Sequence, residues 1–279
     1  MDGPSRRTLE NIHGWLADAG DLGFIPVPVG ALNGRSLHEQ SGRLWEVAPW
    51  MPGEPETAHP PGALRVQTSF AALAAFHQRL SQHRLAGPSP GLIARLNEWR
   101  SWSGDGFNEV GRRLDLCADI PLTSAARQWL DAARGWLATV GEPLKRAAGV
   151  TLALQPCLRD ARPEHFLFTG DYLTGLIDFG AMGFETVAAD LARLLAEWEL
   201  HDPIDRDAAL NVYSSIRPLG PEETTLIEVF ERSSAFLLGG HWVRWRFVEG
   251  RVFHEPGAVA RGIAKGLARL STLGGAVVR

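Results

Sequence analysis

The chain has 279 residues, a formal net charge of −4, 45% hydrophobic and 22% charged residues. These are the values of an ordinary globular protein, long enough for one large domain or two small lobes, and they offer no basic surplus for nucleic acid. Its two cysteines, Cys117 and Cys157, make no disulfide framework and fit a reducing compartment. No apolar run approaches the about 20 residues that span a bilayer. The opening MDGPSRRTLENIHGWL has neither a long apolar core nor a small-residue cleavage site. The expectation is a cytoplasmic protein with no membrane and no nucleic-acid partner.

In chain order, Leu9, Ile12, Trp15, Leu16 and Ala19 stand at helical spacing and predict a helix over 7–19. The segment after it carries two hairpin signals, Asn33-Gly34 and Ser41-Gly42, and predicts short strands near 24–30, 35–39 and 43–49. MPGEPETAHPPG then breaks the pattern and reads as an interlobe linker. Residues 63–84 place Leu64, Phe70, Leu73, Phe76 and Leu80 on one helical face. His77 lies on the apolar side of that helix and reads as a satisfied core histidine. Further helices are expected near 90–102, 122–140 and 143–148, strands at 150–155, 165–168 and 173–177, and helices at 186–199, 205–216, 221–240 and 256–273. The total is α+β, with lobes expected at 1–52 and 53–279. The ten tryptophans read as core payload, although His241-Trp-Val-Arg-Trp245-Arg is amphipathic enough to border a substrate pocket.

The chemistry concentrates in LQPCLRDARPEHFLFTGDYLTGLIDFG, residues 154–180. Asp160 follows an apolar strand and opens the loop to His165. A strand, the turn Thr169-Gly-Asp171 and a second strand lead to Asp178-Phe-Gly180. Such a hairpin brings Asp160 and His165 near Asp178. Phosphoryl transfer from ATP needs this kind of set: one carboxylate for the attacking hydroxyl, a second for a metal ion on the β- and γ-phosphates, and a third polar group. Each aspartate also has a plainer reading as a turn former, and His165 as a histidine packed beside the hairpin. A zinc site from Cys157, Asp160, His165 and His201 matches no common spacing.

Asp160-Ala-Arg-Pro163-Glu-His165, the apolar strand after it, and Ile177-Asp178-Phe179-Gly180 together resemble the aminoglycoside phosphotransferase and choline kinase family. Asp190-Leu191-Ala192 is similar to its D-L-A, and GRLWEVAPWMPG, residues 42–53, to its adenine-bordering hinge. The resemblance runs from about residue 7 to 273. It implies a protein-kinase-like fold, with a small β-rich N-lobe and a larger helical C-lobe holding a central β-hairpin. It also implies transfer of the ATP γ-phosphate to a hydroxyl of a small-molecule substrate. By the same resemblance Asp160 is the catalytic aspartate and Asp178 a ligand of Mg2+, with His165 where the family has a metal-binding Asn. The backbone at Pro49, Trp50 and Met51 meets adenine, and Asp190 braces the catalytic loop.

The sequence departs from the pattern at Leu158-Arg159, where the family has His-Gly, at His165, and at its start. No phosphate-covering loop or lysine strand precedes the hinge, and the first lysine is Lys145. A truncated N-lobe, weak ATP binding and a sheet edge near 24–29 open to self-association are therefore expected. Three readings stay open: an active kinase, a catalytically impaired kinase-like binding or interaction protein, or a fragment of a longer kinase.

Overall fold

Ser5 accepts the amide of Thr8 on its side chain and caps the first helix. A computed structural model describes residues 4–58, 60–199 and 202–275. The elements in chain order are α1 (Arg6–Asp18), β1 (His38–Gln40), β2 (Arg43–Trp45), β3 (Glu54–Pro55), α2 (Ala63–Leu80), β4 (Leu85–Gly87), α3 (Pro90–Ser101), α4 (Phe107–Asp115), α5 (Ile120–Ala148), β5 (Leu152–Cys157), β6 (Phe166–Thr169), β7 (Tyr172–Leu176), β8 (Gly183–Glu185), α6 (Val187–Trp198), α7 (Arg206–Ile216), α8 (Pro221–Val243) and α9 (Ala258–Gly275). No helix among the described residues is long and apolar enough to cross a membrane.

The chain divides into two compact units, one of residues 1–87 and 152–224, the other of 88–151 and 225–279. None of the three limits falls at residue 52, where the sequence places the lobe boundary.

The first unit holds every described strand, in three antiparallel sheets: β1-β2, β3-β6-β7 and β4-β5-β8. The β1–β2 hairpin turns at Ser41 and Gly42, both at positive φ (52° and 72°), as a two-residue primed turn requires. The β6–β7 hairpin carries a bulge between Leu167 and Phe168. Phe70, Leu73, Phe76 and Leu80 of α2 are fully buried, and the Phe76 ring lies 6.0 Å from that of Phe179. The loop that holds Asp178 is thereby anchored in the core through its next residue.

The second unit is helical among its described residues. Trp102, Phe107, Trp129 and Phe236 are buried in it, and the Trp102 and Trp129 rings meet edge to face at 5.1 Å. Gly239 of α8 and Gly266 of α9 are in such close approach that a Cβ on Gly266 would fall on the backbone of Gly239. Only glycine admits that crossing.

Four expectations are corrected. Residues 24–30 form no strand, because Pro26 and Pro28 remove ladder donors. The Phe24 carbonyl instead accepts the Leu176 amide, and Val29 donates to Val47, so the open sheet edge expected there is absent. Asn33-Gly34 makes a closed turn, with the Ala31 amide on the Arg35 carbonyl, and not a strand hairpin. The helices expected at 122–140 and 143–148 are one helix of 29 residues with Pro143 inside it. The proline leaves the carbonyl four residues back, that of Thr139, without its partner, and Thr139 is exposed to water. Strand β2 ends at Trp45, short of the expected residue 49.

Candidate active site

Strand β5 delivers the chain to Asp160, and β8 pairs back along β5, setting Cys157 opposite Gly183. The turn out of β5 puts Arg159 at φ 64°, a left-handed conformation that costs a side-chain-bearing residue about 1–2 kcal/mol. Asp190 holds it there. From the first turn of α6, its fully buried carboxylate accepts the Leu158 amide on Oδ2 and the Arg159 amide on Oδ1, both at 2.7 Å. His77 Nε2 reaches the same Oδ2 at 3.1 Å, and His77 Nδ1 meets the Tyr213 hydroxyl at 2.8 Å. Burial pushes the His77 imidazole below its ordinary pKa, against the opposing pull of Asp190. The ring is therefore neutral: Tyr213 donates to Nδ1, and Nε2–H donates to Asp190. Gln155 donates to the His77 carbonyl and accepts from the buried Arg217, which Glu223 neutralises at 2.8 Å. The Asp160 loop thus stands on a closed polar network.

The strain at Arg159 gives a direct expectation. Arg159→Gly removes the left-handed cost and returns about half of it as unfolded-chain entropy, for a net gain of about 0.5–1 kcal/mol. Chemical denaturation of the two proteins measures it. A loss of stability would mean that the Arg159 side chain, which lies against Gly183, contributes more than the strain costs.

Asp160 itself is one-third exposed. Its Oδ1 receives Arg162 Nε at 2.8 Å and Arg193 Nη2 at 3.2 Å. Oδ2 makes no hydrogen bond among the described residues. Neither arginine was singled out from the sequence. The signal for Arg193 was its place three residues after Asp190 on α6, hence on a neighbouring part of the same helix face.

His165 and Asp178 are brought together by the hairpin. Ile177 donates its amide to the His165 carbonyl at 3.0 Å, and His165 Nε2 comes to 3.5 Å from Asp178 Oδ2. The His165 side chain is only 10% exposed, while that of Asp178 is 60% exposed. Asp178 stands at φ 64°, which turns the chain sharply before Phe179 and Gly180. A carboxylate oxygen suits a hard divalent cation, whereas imidazole is a poor ligand for Mg2+.

Of the expected adenine border, Trp50 is 96% exposed and Pro49 is exposed. Met51 lies against Gly175 of β7, where a Cβ would not fit, and the next carbonyl, Pro52, accepts from Thr174 Oγ1 at 2.6 Å. The segment is therefore seated on the strand that leads to Asp178.

Of the zinc combination weighed from the sequence, His201 lies outside the described residues. Cys157 is fully buried, and its thiol is pushed well up by burial and by the Asp190 and Glu185 charges. His77, Cys157 and Asp190 do bring ligand atoms within 4.8 Å of one another. The Asp190 oxygens, however, are already taken by two amides and His77, so the cluster is a brace and not a metal site.

In the second unit His241 stacks on Trp245 at 5.4 Å and pairs with Glu98 at 2.6 Å. A cavity of about 450 Å3 in that unit is lined by Arg246, Arg251 and Phe253 among others, and by none of the residues above.

Residues 2–227 match the Phosphotransferase enzyme family, APH. The chain belongs to that family. Among curated proteins, this phosphotransferase-family chain is similar to the homoserine kinase of Mesorhizobium japonicum, with 26% identity over 222 residues, covering 75% of this chain and 61% of the relative. It is likewise similar to the homoserine kinase of Acidiphilium cryptum, with 28% identity over 226 residues and 76% and 62% coverage. It thus spans about six tenths of the length of these curated relatives. Among solved structures, an aminoglycoside phosphotransferase from Alicyclobacillus acidocaldarius superposes with a TM-score of 0.71 at 17% identity, over 99% of this chain and 85% of that one. A spectinomycin phosphotransferase in complex with ADP and spectinomycin gives 0.63 at 11% identity, over 96% and 83%. At these identities the likeness shows the fold, which is kinase-like and α+β.

Proposed function

We propose that this chain transfers the γ-phosphoryl group of ATP to a hydroxyl of a small molecule. The observation that carries the reading is the construction around Asp160: a loop held in a strained turn by a buried carboxylate, presenting a second carboxylate with one oxygen fixed and one without a hydrogen bond among the described residues. Arg162 and Arg193 fix Oδ1, so Oδ2 can accept the hydrogen bond of the acceptor hydroxyl. The hydroxyl proton passes to Oδ2 as the new O–P bond forms and the bond from the γ-phosphorus to the ADP oxygen breaks. Asp178 and His165 would hold a divalent cation, which when bound neutralises charge on the β- and γ-phosphates. The Pro49–Met51 backbone would border adenine.

Homoserine, a small hydroxy amino acid, is the first acceptor to test, because the curated relatives described above are homoserine kinases. Aminoglycosides are the second, by the structural likeness. ADP release with ATP, a divalent cation and each acceptor measures the choice. Release that depends on homoserine supports that acceptor. Release with aminoglycoside alone, or with neither, overturns it.

The ion pairs of Arg162 and Arg193 with Asp160 also give support to a second reading, a kinase-like binding protein without transfer, since an acceptor must approach a carboxylate that is already engaged. Nucleotide binding with no ADP release under any acceptor would favour it.

A further inference from the structure

The geometry points to a cation site at His165 and Asp178 that selects Mn2+ over Mg2+. This rests on the reading of Asp178 as a cation ligand. Three observations carry it. The His165 imidazole is about nine-tenths buried, and neither ring nitrogen makes a hydrogen bond among the described residues. Its Nε2 stands 3.5 Å from Asp178 Oδ2, longer than a normal hydrogen bond. Two ligand atoms bonded to one ion at about 2.0–2.2 Å stand about 3–3.5 Å apart in an octahedral or tetrahedral shell. The observed separation therefore needs a shift of no more than a few tenths of an ångström to admit an ion between them.

The donor types then decide which ion. Mg2+ demands near-ideal octahedral oxygen coordination and gives up water reluctantly. A nitrogen donor fixed by burial beside the carboxylate offers it one poor ligand and excludes a water that would serve better. First-row transition ions accept imidazole. Among them Mn2+ keeps the preference for carboxylate, water and phosphate-type oxygens that an exposed Asp178 and a nucleotide would supply. The pair supplies only two protein ligands, and water or phosphate oxygens complete the shell.

The test titrates the whole chain with Mn2+ in the absence of nucleotide, following loss of the free aqueous Mn2+ electron paramagnetic resonance signal, with Mg2+ as competitor. The expected result is Mn2+ bound about 10-fold or more tightly than Mg2+. Electron spin echo modulation is expected to show a nitrogen coupled to the bound Mn2+. His165→Asn is expected to remove the nitrogen coupling and to cut the Mn2+ preference by about 10-fold or more, with Mg2+ affinity unchanged or improved. His165→Gln repeats the comparison, and circular dichroism shows that each variant is folded. Wild-type protein that binds neither ion, binds both equally, or shows no nitrogen coupling would overturn the inference, as would a variant with an unchanged preference. Nitrogen-ligated Mn2+ without any ADP release would support this inference and count against the transferase reading alone.

Discussion

Asp160→Asn is expected to lower phosphotransfer turnover by about 10²–10⁴-fold, the usual effect of removing a positioned acid–base group, and to leave the protein folded. The amide keeps the shape of the carboxylate and still offers Arg162 and Arg193 an oxygen, but Oδ2 is replaced by a nitrogen that cannot take a proton from the acceptor hydroxyl. The two ion pairs lost in the exchange are partly exposed, where such pairs contribute about 0–1 kcal/mol, so the melting temperature should barely move. Turnover of ADP release and a thermal melt of the same sample separate the two effects. Wild-type turnover in the variant would remove Asp160 from the proposed chemistry.

Asp190→Ala is expected to cost so much stability that the protein folds poorly. The substitution strands the Leu158 and Arg159 amides and the His77 Nε2–H in a fully buried site. Each stranded donor costs about 1–3 kcal/mol, and the sum is a large part of the about 5–15 kcal/mol that holds a domain together. Denaturant midpoints of wild type and variant measure the loss, and a shift below about 1 kcal/mol would show that the network is not the support of the loop.

The same network predicts a pH dependence. The folded protein holds His77 neutral, with its pKa lowered by burial, while the unfolded chain protonates it near pH 6.5. The unfolded state therefore binds the extra proton first. Stability from this group is complete above about pH 6.5 and declines as the pH falls below it. His77→Gln, which keeps a hydrogen-bonding side chain without titrating, should flatten the part of the decline that belongs to this residue. An identical acid slope in the two proteins between about pH 8 and 5 would contradict the neutral assignment.

How much was legible in the sequence depended on the length of the pattern. The apolar spacing of α1 and α2 announced those helices to within a few residues, α6 to α9 lie within a few residues of their expected ranges, and Ser41-Gly42 announced its hairpin. Strands β3, β4 and β8, of two or three residues, are too short for an alternating pattern to register, and they exist because long-range partners such as β5 and β6 hold them. Pro143 misled in the opposite direction: a helix this long, with Trp129, Ala133, Val140 and Leu144 buried along it, continues through one lost bond because tertiary packing outweighs local cost.

The site divided similarly. Asp160, His165, Asp178 and Asp190 were visible as residue types at a spacing. The glycine usual beside the catalytic aspartate in the resemblance has its physical reason in the positive φ that Arg159 adopts here. Arg193 had only its spacing from Asp190 as a signal, and Tyr213 and Arg217 had none, because their roles exist only once α7 has returned to the end of β5.

The most direct measurement of the central claim is phosphorus-31 nuclear magnetic resonance of the chain after incubation with ATP, a divalent cation and homoserine or an aminoglycoside as acceptor, any paramagnetic cation being chelated only once the reaction has been stopped. The proposed chemistry predicts loss of the γ-phosphate resonance and growth of a phosphomonoester resonance on the acceptor, in wild-type protein and not in Asp160→Asn. Intact ATP beside folded wild-type protein with each acceptor, or inorganic phosphate alone as the product, would contradict it.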